Sequence, residues 1–284
     1  MTEEHININI SRTGEKHIKR NSKPYQRLSD HLGLIPVVMV SPSDNALIND
    51  SGDERRRFLN SILSQVDREY LRKLQNYNQL LAQRNKLLKL SEVQKDLLTT
   101  LSEQMSAVAD YIYMKRCEFC RDLLPVASKF YKKLSGGRES IFVEYKSDLA
   151  GGSLVDILEE NYDRDRIMKY TTVGIQRDDV LFTMEGYLIR KFGSQGQQKT
   201  FLLALKLAQF EIMAKIYGKP PLLLLDDVFD KLDMQRVELL LNLVASESFG
   251  QIFITDSNKV RIHSILEKVS GENSSIEIEN GVLV

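Results

Sequence analysis

The sequence has no tryptophan, two cysteines, four histidines and six prolines among its 284 residues. Two cysteines cannot build a disulfide framework. Cys117-Glu118-Phe119-Cys120 supplies half of a zinc site, with no second pair to complete it. The pair lies deep in a helical pattern, not at a helix start, so it reads as two ordinary helical cysteines instead of a redox centre. His5, His17, His31 and His263 share no metal-ligand spacing. Neither sign of charge is in excess, since 39 Lys and Arg balance 39 Asp and Glu. That excludes a basic nucleic-acid tail and an acidic disordered chain, so any nucleic-acid contact must come from local patches or from an assembly. Met-Thr-Glu-Glu-His opens the chain without a secretory apolar run, and no stretch has the length of a membrane span. With few cysteines, the expected compartment is a reducing cytoplasm. One more absence bears on function: none of the 15 glycines completes a G-x-x-x-x-G-K-[ST] phosphate loop. Gly218-Lys219 is followed by proline and Gly14 by Glu-Lys.

What is present is an ordered mix of strand and helix patterns. His5 to Ile10 alternates polar and apolar residues and reads as a strand; Lys16 to Lys23 reads as a turn with solvated charge. Ile35 to Val40 is a second strand, ended by Ser41-Pro42-Ser43-Asp44. From Asp53 to about Leu134 the apolar spacing is helical, with stripes at Tyr70, Leu74, Tyr77 and Leu81 and at Leu98, Leu101, Met105 and Val108. Ser91-Glu92-Val93-Gln94 fits a capping box, which predicts two antiparallel helices, an αα-hairpin arm packed as a bundle with no extended coiled coil. Gly136-Gly137 closes this block. Ile141 to Tyr145 predicts a strand, Leu154 to Lys169 a charged helix, and Val180 to Phe192 a β-hairpin turning at Glu185-Gly186. Thr200 to Tyr217 and Met234 to Ser246 predict helices, Ile252 to Thr255 a short strand, and Asn280-Gly281 a hairpin turn. The expected division is 1–52 as first strands of a head, 53–135 as helical arm, and 136–284 as the rest of the head.

Two motifs carry chemistry. Leu222-Leu223-Leu224-Leu225-Asp226-Asp227 reads as a strand buried on both faces with two carboxylates at its carboxyl end, where open α/β sheets bind ligands. An ionised carboxylate beside a core is costly unless paired or bound to a metal, so this looks like a Walker B strand. The second motif is Gly193-Ser194-Gln195-Gly196-Gln197-Gln198-Lys199-Thr200. As a Walker A loop it is faulty, because Gln198 stands where the last glycine must let the backbone approach phosphate. As Ser-x-Gly-Gln before a long apolar helix it is an ABC signature, with Ser194 and the helix N-terminus gripping a phosphate held by a partner subunit. The hairpin before it and the Asp-Asp strand after it favour the signature. Asp230-Lys231-Leu232-Asp233 then has the shape of a D-loop.

Together these segments resemble the RecF family of ABC/SMC-like ATPases. So do Ser41-Pro42-Ser43-Asp44, Asp53-Glu54-Arg55-Arg56-Arg57-Phe58-Leu59, Arg84-Asn85 and Gly174-Ile175-Gln176-Arg177-Asp178-Asp179, with Gln176 where the family carries histidine. The resemblance implies an α/β fold, an ABC-type P-loop ATPase head with an inserted helical arm. It implies an ATP-dependent homodimer that clamps DNA at gaps or stalled forks, with RecR and RecO as partners, in recombinational repair, replication-fork maintenance and the SOS response to DNA damage. Carried onto this chain, Ser194, Gln195, Gly196 and Gln197 would contact ATP across the dimer. Asp226 would serve Mg²⁺, Asp227 the attacking water, and Asp233 the cross-dimer D-loop contact. The chain enters the family pattern near the strand at His5 to Ile10, past the glycine-rich Walker A segment. The expectations are therefore a shortened member with little ATPase activity and apolar sheet faces left uncovered. Alternatives are a subunit of another SMC-like ATPase that uses a partner's Walker A, and a truncated fragment without function. Arg55-Arg56-Arg57 suits either DNA phosphates or a solvated helix start, and Arg177-Asp178-Asp179 either a dimer-interface loop or a surface turn.

Overall fold

A computed structural model describes residues 4–92, 94–137, 139–245, 249–258, 272–279 and 282–283. Near the amino terminus, β1 (Ile6–Ile10), β2 (Lys16–Arg20) and β3 (Lys23–Pro24) form an antiparallel meander. The basic stretch expected to be a turn is thus mostly strand: Lys16 to Arg20 alternates around Ile18 and pairs in register with Ile6 to Ile10.

The strand β4 (Val37–Val40) pairs in parallel with β8 (Leu222–Asp226), and β8 with β9 (Ile252–Thr255). Val38, Val40, Leu223 and Leu225 point into the core. Of the two expectations for the opposite face, burial and an uncovered apolar surface, the second is the one this face meets. Met39, Leu224 and Phe253 lie in one cross-strand row, and Met39 and Phe253 are 46% and 50% exposed. The core side is covered by α8 (Gln195–Tyr217), whose residues from Lys199 to Phe210 are all buried. A helix apolar on every side must be enclosed, and α8 packs on α4 (Lys95–Ser135), β4, α1 (Asn45–Asn49) and α2 (Gly52–Val66).

The helical block holds three helices where two were expected: α2, α3 (Arg68–Leu87) and α4. Asp67 makes the break between α2 and α3 by accepting the Tyr70 N–H at 3.0 Å, a side-chain cap. The expected capping box at Ser91 does not start α4, which begins at Lys95 after Gln94. Gly136 ends it in the left-handed conformation, φ 74°. A second sheet joins β5 (Ile141–Lys146), β6 (Asp179–Met184) and β7 (Tyr187–Leu188). Its β6–β7 turn is at Glu185 and Gly186, both at positive φ, as expected. Beyond Leu188 the expected hairpin strand gives way to a short helix, α7 (Ile189–Phe192). The charged helix expected from 154 is two, α5 (Leu154–Glu160) and α6 (Tyr162–Met168), parted at Asn161. Met234–Val244 forms α9; β10 (Ile278–Glu279) pairs antiparallel with β11 (Val282–Leu283), and the Asn280-Gly281 turn lies outside the described residues.

Buried ion pairs join the helical block to the head. Arg116 on α4 meets Asp178 at 2.6 Å and also donates to the Ile175 carbonyl, the Tyr70 hydroxyl and Asn60. Arg84 on α3 meets Asp165 at 2.6 Å and Thr171 at 2.7 Å, while Asn85 accepts the Thr171 N–H. Arg55 donates to both carboxylate oxygens of Asp179, and Arg56 donates to the Asp178 carbonyl. Burial by itself would raise the Asp179 carboxyl, but the Arg55 hydrogen bonds and charge outweigh it and hold it below the ordinary 3.8. A depressed carboxyl contributes stability above its unfolded value and loses it as pH falls through the folded one. Thermal midpoints taken between about pH 5 and 3 are therefore expected to fall more steeply for the parent chain than for Asp179→Asn.

Candidate functional site

The signature motif forms the tip of α8. Ser194 is its N-cap: its Oγ accepts the Gln197 N–H at 3.2 Å, and Gln197 Oε1 accepts the Ser194 N–H at 2.8 Å, a reciprocal capping box. Gln197 also donates to Glu139 at 3.0 Å, which fixes its side chain from the head side. Ser194 and Gln195 are exposed. The first N–H groups of a helix lack intrahelical acceptors, so those of Gln195 and Gly196 sit at an exposed, electropositive tip. A Walker A reading needs an open loop here, whereas Gln195 to Thr200 are already helical. Gln198 folds back to donate to the Gly193 carbonyl at 3.0 Å.

At the carboxyl end of β8, Asp226 accepts from the Thr255 hydroxyl at 2.5 Å, and the Asp227 N–H donates to the Thr255 carbonyl at 3.1 Å. Both acids are half-buried. Asp227 holds a left-handed φ of 48°, unusual for an aspartate, and Lys231 follows at 63°. Asp233 is the N-cap of α9, accepting the Arg236 N–H at 2.8 Å. Asp256, at the end of the neighbouring strand, accepts the Asn258 N–H at 2.7 Å.

The 227–236 segment lies against the signature. A Cβ on Gly196 would stand 2.6 Å from Arg236 Nη1 and 3.6 Å from the Lys231 carbonyl oxygen. Lys199, one turn into α8, is 4% exposed. Burial pushes its ammonium below the ordinary lysine value, while the charges of Asp230 and Asp227 pull the other way. Ser194 to Gln197 and Asp233 are thus assembled around one seam, with Asp226 and Asp227 at the strand end behind it. Sequence reasoning missed Lys199 and Arg236. Lys199 was visible within the signature segment and Arg236 stands three residues past Asp233, but a linear pattern does not show that the two segments touch.

Among the described residues no three His, Cys, Asp or Glu side chains are grouped to hold a metal ion. Mg²⁺ at nucleotide sites is held by one or two carboxylates together with substrate phosphates and water, and the Asp226 carboxylate stands at the strand end on the Thr255 hydroxyl. The residues present fit the acidic half of a nucleotide site. A cavity of about 590 Å³ lies elsewhere, at the root of the helical block between Arg56, Asn60, Tyr77, Arg116 and Gln176, and touches none of Ser194 to Gln197, Asp226, Asp227 and Asp233. Cys117 and Cys120 sit on α4 with thiols raised by burial, Cys120 to about 12, as expected of unreactive helical cysteines. No helix among the described residues is long and apolar enough to cross a membrane.

No family model matches the chain. It is 44% identical over 280 residues to the DNA replication and repair protein RecF of Phocaeicola vulgatus, covering 98% of this chain and 76% of the relative. It is 45% identical over 282 residues to RecF of Azobacteroides pseudotrichonymphae, covering 99% and 77%. The chain belongs to the RecF family. Among solved structures, the recombination mediator protein RecF with ATP superposes with a TM-score of 0.84 at 28% identity, over 99% of this chain and 75% of that one. An Smc head bound to the C-winged helix domain of ScpA gives a TM-score of 0.52 at 12% identity, over 98% of this chain and 65% of that one, a likeness of fold alone.

The fold is therefore that of an ABC-type ATPase head carrying a long helical arm. Several RecF-like segments hold this head together. Asp44 accepts from the Ser41 N–H and from Lys206 on α8 at 2.6 Å. Arg55 and Arg56 are committed to Asp179 and to the Asp178 carbonyl, so neither a solvated helix start nor a surface turn describes these residues. Arg57, paired with Glu54, stays exposed.

Proposed function

We propose that this chain acts in DNA replication and repair as RecF proteins do, through an ATP-gated homodimer that binds DNA, with RecR and RecO as partners, in the cytoplasm and within the SOS response. One copy presents Ser194, Gln195, Gly196 and Gln197 to a triphosphate held by its partner. Asp226 serves Mg²⁺, Asp227 orients the attacking water, and Asp233 makes the D-loop contact across the dimer. The observation that carries this reading is the seam itself: a 23-residue helix tipped by the Ser194 cap, lying against the segment that follows the Asp226-Asp227 strand end. The 284 residues contain no complete phosphate loop. Phosphoryl transfer needs such a cradle and its lysine, so these residues by themselves are expected to hydrolyse ATP at background rates. An assay of the purified chain with Mg²⁺, with and without duplex DNA, checks this. Robust turnover that disappears in Asp227→Asn would refute it. Retention of the chain on immobilised RecR checks the partner.

A second reading has a specific support, the open row of Met39, Leu224 and Phe253. Exposed apolar sheet surface favours coverage by another polypeptide, here one that brings its own Walker A. Co-purification with a P-loop protein in place of RecR would favour it.

A further inference from the structure

Gly196 is not needed for its backbone angles, since it lies inside α8 at an ordinary helical φ. It is needed for space: the Arg236 guanidinium occupies the position that a Cβ would take, 2.6 Å from it. That is an unfavourable place for a cation. Arg236 sits in the first turn of α9, beside the first turn of α8, so it faces the electropositive ends of two helices of 11 and 23 residues. A cation at one such end is unfavourable. The compensation is slight. Among the described residues its one ion pair is with Asp233 at 3.5 Å, and that carboxylate is 56% exposed and already accepts the Arg236 N–H. A second cation lies in the same seam. Lys199, one turn further into α8, has the carboxylates of Asp230, Asp227 and Asp44 about it as well as the Lys231 ammonium. A guanidinium held where two helix N-termini converge, with so little pairing, makes an arrangement that an anion would relieve.

We infer that Arg236 is a phosphate-contacting residue of the signature, which joins the Ser194 hydroxyl and the Gln195 and Gly196 N–H groups on the terminal phosphate of a nucleoside triphosphate. This rests on the signature reading above and adds a side chain to it. The guanidinium fork matches two phosphate oxygens at once, which an ammonium does not. Phosphate therefore replaces the 3.5 Å contact to Asp233 with charge-assisted bonds.

The test uses the full 284-residue chain and inorganic tripolyphosphate, without adenine or Mg²⁺, at constant ionic strength. The readout is the amide resonances of Gln195 and Gly196. The parent is expected to show saturable shifts there. Arg236→Gln should weaken the apparent affinity about tenfold or more, as for a lost hydrogen bond between charged groups, and Arg236→Lys should restore part of it. Thermal midpoints without the anion separate this from a packing role. If Arg236→Gln lowers the midpoint but binds like the parent, while Ser194→Ala loses binding, Arg236 is structural and the signature reading stands. If the parent shows no saturable shift at the α8 tip, the signature reading fails and this inference with it.

Discussion

Arg116→Ala is expected to lower the unfolding free energy by about 3–5 kcal/mol, because it strands the buried Asp178 carboxylate without its counter-ion. The pair is 2.6 Å apart and its side chains are 2% and 0% exposed. Arg116 also serves the Ile175 carbonyl, the Tyr70 hydroxyl and Asn60, so truncation leaves several buried polar groups unpaired at once. Urea unfolding followed by circular dichroism measures the loss. The companion experiment replaces both partners, Arg116→Met with Asp178→Leu. An apolar pair of similar volume avoids the stranded charge, so the double variant should be more stable than Arg116→Ala. A double variant as damaged as the single would mean that the other polar partners, and not Asp178, set the cost.

Phe201→Ala is expected to cost about 3–5 kcal/mol. Phe201 is fully buried on α8, with its ring 6.1 Å from Tyr131 on α4 and 5.4 Å from Phe182 on β6. One side chain therefore fills the junction of the helical block, the second sheet and the signature helix, and no neighbour is free to collapse into the space. Phe201→Leu, which keeps much of the volume, should lose less. Arg57→Ala on the exposed face of α2 is the control, expected within about 0.5 kcal/mol of the parent. Denaturant midpoints of the three variants check the order. A Phe201→Ala loss no greater than that of the control would show that α8 is not the centre of the core.

The two functional motifs were legible because their signals are local. A run of leucines ending in two acids can hardly be other than a sheet strand with a polar mouth, and Ser-x-Gly-Gln ahead of a long apolar helix is recognised by its order, although the helix expected from Thr200 starts at Gln195. The helical stripes of Tyr70 to Leu81 and Leu98 to Val108 were equally local, and they placed α3 and α4 correctly. What failed was also local in origin. Lys16 to Arg20 has too much charge to look like a strand, yet pairing with β1 satisfies its backbone and leaves the charges in solvent. Ser91 offered a cap that the chain does not use.

The sequence by itself determined most of the order of strands and helices and the position of the two acids, since each depends on neighbours a few residues apart. Only the tertiary structure decided which charges are committed. Arg55, Arg84 and Arg116 show no partner in the linear sequence; their carboxylates lie 62 to 124 residues away. It likewise left one face of the Asp-Asp strand open and set Arg236 against Gly196. These outcomes turn on burial and long-range pairing, whose energies exist only once the chain has closed on itself.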